Sequence, residues 1–431
     1  MMRGFLYFGI MFAAIACVGL FQSWNVAFAI LNLCLISGIM ALGVNIQWGY
    51  AGLFNVGIMG FTALGGATAM LIATQPVGEA WAAGGVGVLL SGLVIAASVA
   101  IVIFARRALS GKLRTLVTAG LIIAGYFTAR IFFDPATDLI ERVNPAQSGF
   151  LGGLGLPIIL AWGVGGVVAA GAAWVVGKVA LGLRSDYLAI ATLGISEIII
   201  AILKNEDWLT RGVKNVAGLP RPVPYEVDLI QAPWFQEFAA SWGAEVQTAA
   251  SITVKLSYAG LILIVLAILM WLSERAIKSP WGRMMRAIRD NRDAASAMGK
   301  NVTARHLQVF ILGSAVCGIA GAMLTTLDGQ FTPTSYIPLR YTFLIWVMVI
   351  LGGSGNNWGS VLGGFVIWFV WIQAEPVGLW VMTTVTSVLP EGNAVRDHLV
   401  EAAPHMRLFL MGLILLVVMR YAPRGLLPER R

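Results

Sequence analysis

A chain of 431 residues that is 58% hydrophobic and only 12% charged lies far from the ~25% charge of a soluble domain, and that class is excluded in favour of a polytopic membrane protein. A net charge of +8 would suit a nucleic-acid partner, but the basic residues gather in short loops on one side, as membrane topology requires, so nucleic acid is excluded too. Cys17, Cys34 and Cys317 all sit in apolar runs, so no disulfide framework is expected.

A spanning helix needs about 20 apolar residues. Segments 5–21 and 26–44 meet that length, and Ala14-Ile-Ala-Cys17 lacks the leucine of a lipoprotein cleavage box, so the first run is read as an uncleaved helix. Residues 45–55 follow, with Asn45, Gln47 and Asn55 among Gly49 and Gly52, and Gly57 just beyond. Polar, interrupted backbone at membrane depth is tolerated where protein buries it or where it lines a cavity, and in transporters such breaks mark the pathway. A plain turn between two helices is the other reading.

Further spans are expected at 86–104, 116–133, 157–179 and 187–203. The 105–115 turn is basic, and 134–156 is placed on the opposite, outer side. Residues 204–251 form a long polar segment with Pro220, Pro222, Pro224 and Pro233 and three tryptophans, which predicts a structured external loop. A span at 252–273 leads to the charged stretch 279–306, and 307–327 crosses again. Runs at 338–351 and 361–371 flank a second break, Gly352-Gly-Ser-Gly-Asn-Asn-Trp-Gly359. Gly355, Gly359 and Gly363 there have the small-xxx-small spacing that lets helix backbones approach. Residues 375–405 are acidic and placed outside, with an interfacial segment at 377–388. A short last span at 406–420 ends in Arg420, Arg424, Arg430 and Arg431. Counting Arg420, the segments assigned inside hold 18 Lys and Arg against 5 Asp and Glu, and those outside hold 6 against 15. By the positive-inside rule both termini are cytoplasmic, with an even number of crossings. The fold expected is an all-α membrane bundle of ten to twelve helices with two glycine-rich breaks, one domain over 1–431.

Within 279–306, residues 282–298 read as an amphipathic helix with Met284, Ile288, Ala295 and Met298 on one face, interrupted at Asn291. Arg286 with Asp290, and Arg289 with Asp293, are spaced i,i+4, and Gly299 stands where a helix C-cap belongs. A basic loop of this kind is either a solvated positive-inside loop or a docking element for a cytoplasmic partner. Its Asp293-Ala294-Ala295 followed by Gly299 resembles the coupling loop of ABC-importer permeases, in the form used by branched-chain amino acid permease subunits. Leu183-Arg-Ser-Asp-Tyr-Leu-Ala-Ile-Ala-Thr-Leu-Gly-Ile-Ser-Glu197 and the block Val349 to Gly359 resemble the same family. Asn55-Val-Gly57-Ile58 departs from the family's Ser-x-Gly-His.

This resemblance implies that Arg286, Ala287, Asp290, Asp293, Ala294, Ala295 and Gly299 couple to the ATPase. It also implies two cytoplasmic ATPase subunits, a homologous second permease subunit, a periplasmic binding protein and a bacterial inner-membrane location. Branched-chain amino acids are the implied substrate, with urea or short amides as the alternative. The pathway candidates are Asn45, Gly52, Asn55, Gly57, Glu197, Gly355, Asn356 and Asn357. Glu197 is an acid deep in an apolar run, and such carboxylates default to function. It is either a proton site of a self-contained secondary transporter or channel, or a structural carboxylate bonded to a neighbouring helix, which the family block favours. No catalytic residue or cofactor is expected. His306, His398 and His405 lack metal-ligand spacing, and none of the three Gly-Lys dipeptides completes a phosphate-binding loop, so any ATPase is a separate chain.

Overall fold

Backbone groups in hydrocarbon must be satisfied within their own segment, and the apolar runs accordingly close into helices. The computed structural model describes residues 2–145, 148–390 and 393–429; Arg430 and Arg431 lie outside the described residues. The longer helices are α1 (Met2–Phe21), α2 (Trp24–Val44), α3 (Ile58–Ala73), α4 (Val86–Ala108), α5 (Gly111–Arg142), α6 (Ile158–Ala180), α7 (Ser185–Asn205) and α8 (Val246–Lys278). Two short helices follow, α9 (Pro280–Asp290) and α10 (Arg292–Ala297), then α11 (Val302–Asp328), α12 (Pro338–Gly352), α13 (Asn357–Val385) and α14 (Met406–Tyr421). Among the described residues ten helices are long and apolar enough to cross a membrane, and α3 and α12 are shorter apolar helices. At 1.5 Å per residue these two reach only ~24 Å, short of a ~30 Å hydrocarbon core. Each is completed at the same end of the bundle by one of the two glycine-rich breaks. The chain is a multi-pass membrane protein.

The core lies where α11 packs on α6, α3 and α2, and where α13 packs on α2 and α12. Gly363 of α13 faces the backbone of Met348, and a side chain there would strike that carbonyl, so the two helices meet at backbone distance. Gly359 belongs to the same contact, whereas Gly355 lies in the turn before α13. The α4–α5 hairpin packs chiefly on itself, and its outer faces are exposed apolar surface.

Several helices run past the apolar stretches that announce them. α5 continues through Asp134 and Pro135 to Arg142, and Asp134 pairs with Arg130 one turn earlier at 2.8 Å. α13 continues through Pro376 to Val385, and α8 starts at Val246. Hydropathy marks where a helix meets lipid, not where its hydrogen bonds stop, so polar turns beyond the hydrocarbon escape an apolar window. Residues 206–245 are ordered by short helices and by a two-stranded antiparallel ribbon, β1 (Val216–Ala217) on β2 (Gln330–Phe331). The ribbon ties that segment to the end of α11.

Candidate coupling junction and cavity

The two breaks meet each other. Residues 45–49 prolong α2 as a π-helical turn, and the chain runs without regular secondary structure over 52–57 before α3. The second break is the tight turn 353–356. Asn45 Nδ2 donates to Asn357 Oδ1 at 3.0 Å, and the Gly355 N–H donates to Asn45 Oδ1 at 2.8 Å. The Tyr50 hydroxyl donates to the same Asn357 oxygen, and Asn357 Nδ2 donates to Glu274 Oε1 at 3.0 Å near the end of α8. Gly52 and Gly355 turn with φ of 68° and 84°, a region only glycine enters freely. Asn356 caps α13 by accepting from the Trp358 N–H at 3.1 Å.

A second network holds the first break against the core. Gln47 Nε2 donates to the Phe310 carbonyl and to Ser314 on α11, while Asn55 Nδ2 donates to Gln47 Oε1 at 2.9 Å. Asn55 Oδ1 accepts from Gly57 N–H at 2.8 Å, and Trp346 Nε1 donates to the Asn55 carbonyl at 3.0 Å. Asn45, Asn55 and Asn357 are all buried. Buried polar groups are costly unless bonded, and these are bonded; in this conformation they are ties. Trp48, Phe54 and Trp346 pack edge to face beside them, with Phe54 and Trp346 centroids 4.7 Å apart.

The charged loop is joined to both breaks. It is two helices, not one: Asn291 ends α9 and caps α10, its side chain accepting from Ala294 N–H at 2.9 Å. Gly299 ends α10 with φ 77°. The buried face is Gly282, Met285, Ile288 and Ala295, while Met298 is 79% exposed; the interruption at Asn291 resets the helical phase, which moves Met298 off that face. Arg289 does not turn to Asp293. Its guanidinium bonds the Gly49 carbonyl, Glu429 Oε2 at 2.8 Å and Asp290 at 3.4 Å. One side chain of the loop thus spans the first break and residues 424–429, which in turn lie on the second break through Leu426 N–H to the Leu351 carbonyl and Asn356 Nδ2 to the Leu427 carbonyl. Ala287, Asp290, Asp293, Ala294 and Gly299 are exposed and Arg286 half-buried.

A cavity of about 260 Å³ opens at the other end of the bundle, between α2, α3, α11, α12 and α13. Met40, Met59, Leu344, Ile345 and Met348 form most of its wall, and the exposed residues Asp328, Gln330 and Ser335 line its mouth. The Tyr336 and Thr325 hydroxyls bond each other at 3.0 Å on the same wall. Burial pushes the Tyr336 hydroxyl above its usual range. Nothing in the sequence singled out this wall, since its residues come from five separate helices. Glu197 is at neither site: it lies on the exposed side of α7, without a hydrogen-bond or ion-pair partner among the described residues.

The profile of the "Branched-chain amino acid transport system / permease component" family matches residues 115–419. The chain belongs to that family. This permease is 24% identical to the high-affinity branched-chain amino acid transport system permease protein LivM of Salmonella typhimurium, over 62% of this chain and 56% of that one. It is 26% identical to the probable branched-chain amino acid transport permease protein LivM of Methanocaldococcus jannaschii, over 75% and 82%. It is also 27% identical to the permease protein LivH of Escherichia coli K12, over 49% and 63%. The matched stretch is little more than half the length of the Salmonella protein. No solved structure matches the permease significantly.

Proposed function

We propose that this permease is a membrane subunit of a binding-protein-dependent ABC importer for branched-chain amino acids in a bacterial inner membrane, with both termini cytoplasmic. Two separate ATPase subunits dock on residues 282–299, a second and homologous permease subunit completes the pore, and a periplasmic protein delivers substrate. The observation that carries the reading is the double attachment of the loop. Its outer face offers Ala287, Ala294 and the bare Met298 to a partner. Its inner face holds, through Arg289, the junction that joins both breaks. A pull on α9 and α10 is thereby delivered to the two places where the spanning helices are incomplete. Glu197 has no role in this scheme: its side chain is exposed and belongs to neither the junction nor the cavity wall.

The test is Met298→Glu combined with Ala294→Asp. Both side chains are exposed, so the fold is kept while a docked apolar contact is replaced by charge. Reconstituted with its partners, the double variant should insert normally, lose ATPase binding and lose ATP-driven leucine uptake. Normal docking and uptake would refute the assignment of the loop.

A further inference from the structure

Asp328 is a charge that no ion pair answers among the described residues. It is the last residue of α11, and Gly329 closes the helix in a left-handed conformation with φ 66°. The C-terminal end of a helix carries partial negative charge and favours cations, yet the last turn of α11 holds no basic residue. The Asp328 side chain lines the mouth of the cavity, and it has no hydrogen-bond or ion-pair partner among the described residues. The nearby cations make other contacts: Arg340 stacks 5.0 Å from the Trp371 ring centre, Arg407 pairs with Glu375, and Arg221, whose guanidinium passes beside Gly329, lies over the Tyr225 ring at 5.8 Å. A carboxylate and a helix C-terminus therefore converge on one end of a chamber whose remaining wall is largely apolar.

We infer that this cavity is the permease's own substrate subsite, taking a zwitterionic amino acid with its ammonium group on the Asp328 carboxylate and its aliphatic side chain among Met40, Met59, Ile345 and Met348. This rests on the importer reading and goes beyond it by naming the site and the group that is recognised. A volume of about 260 Å³ corresponds to about nine waters at the ~30 Å³ each takes up in the liquid, enough for a solute of amino-acid size. Methionine is unbranched and adapts its shape, so three methionines in the wall accept leucine, isoleucine and valine without selecting one. A neutral amide such as urea leaves the carboxylate unanswered and the wall unfilled.

Two measurements test the site. The first is ATP-driven leucine uptake in proteoliposomes holding the permease with its second permease subunit, ATPases and binding protein. Asp328→Asn should lower uptake at least about tenfold, equivalent to about 1.4 kcal/mol, with ATPase docking intact, and Asp328→Glu should restore part of it. Uptake by Asp328→Asn equal to wild type would overturn the subsite alone. No uptake by wild type would overturn the importer reading and this site with it. The second uses Ser335→Cys at the mouth, with exposed Cys17 changed to serine and the buried Cys34 and Cys317 left, in the same complex without binding protein. Leucine and leucinol, which keep the ammonium group, should slow modification by a water-soluble thiol reagent. Isocaproate and urea should not, and equal protection by isocaproate would overturn the role of Asp328.

Discussion

Replacing Asn357 by leucine tests whether one amide fastens the two breaks together. The side chain is close in size, so packing changes little and three hydrogen bonds are lost, to Asn45, Tyr50 and Glu274. Glu274 is part-exposed and keeps Lys278 at 3.2 Å, so it rehydrates at little cost. Tyr50 retains a long contact to the Ser273 carbonyl at 3.4 Å, and its loss is that of one ordinary bond, about 1 kcal/mol. Asn45 has no exposed surface, so its Nδ2 is stranded, at about 1–3 kcal/mol. The sum is about 2–4 kcal/mol. Side-chain hydrogen bonds within a membrane average only ~0.6 kcal/mol, and three of them reach the lower edge of that range. Reversible unfolding of the full chain in mixed micelles, titrated with dodecyl sulfate, would read the change, with Tyr50→Phe as the single-bond control. A loss below about 0.5 kcal/mol, the scale of an ordinary surface change, would show that this amide does not hold the breaks.

Glu197→Gln should leave ATP-driven uptake and its pH profile unchanged, because the side chain is exposed and takes part in neither junction nor cavity wall; an abolished uptake in a correctly inserted variant would reinstate a coupling role. Cysteines at Asn55 and Asn357, in a background lacking native thiols, should resist water-soluble reagents in the resting complex, since both sites are buried, and should react only when ATP engages the partner ATPases. Labelling that is equally fast in both states would mean that the junction does not open during transport.

What the sequence disclosed and what it withheld follow from the range of the interactions. The breaks were legible because glycine and asparagine in an apolar run have few other uses, and the loop because its charge stands out from its surroundings. Asn291 showed as an interruption, but its effect on helical phase did not, so Met298 was expected on the buried face although it is exposed. The reach of Arg289 to Gly49 and Glu429 was beyond an i,i+4 rule, which pairs neighbours on one helix. Asp328 was not singled out in the sequence; its significance comes from a wall assembled out of five helices. The span expected at 361–371 continues as a helix through Pro376 to Val385, since membrane helices tolerate proline where neighbours satisfy the freed carbonyl.

The strap formed by residues 424–429 across the second break has a bearing on biogenesis. Leu426 and Leu427 N–H groups bond the Leu351 and Gly352 carbonyls, and Glu429 receives the guanidinium that also holds Gly49. Gly49 leaves the ribosome early and Glu429 late, so at ~5–20 residues per second the first break waits on the order of tens of seconds for the last piece of its enclosure. Until the strap arrives, the Leu351 and Gly352 carbonyls and the Arg289 guanidinium at Gly49 lack the partners it supplies and depend on water, lipid headgroups or a chaperone. A chain stopped before residue 424 would insert nearly every helix and still leave its basic end unsealed, a defect that a membrane protease reads as unfinished.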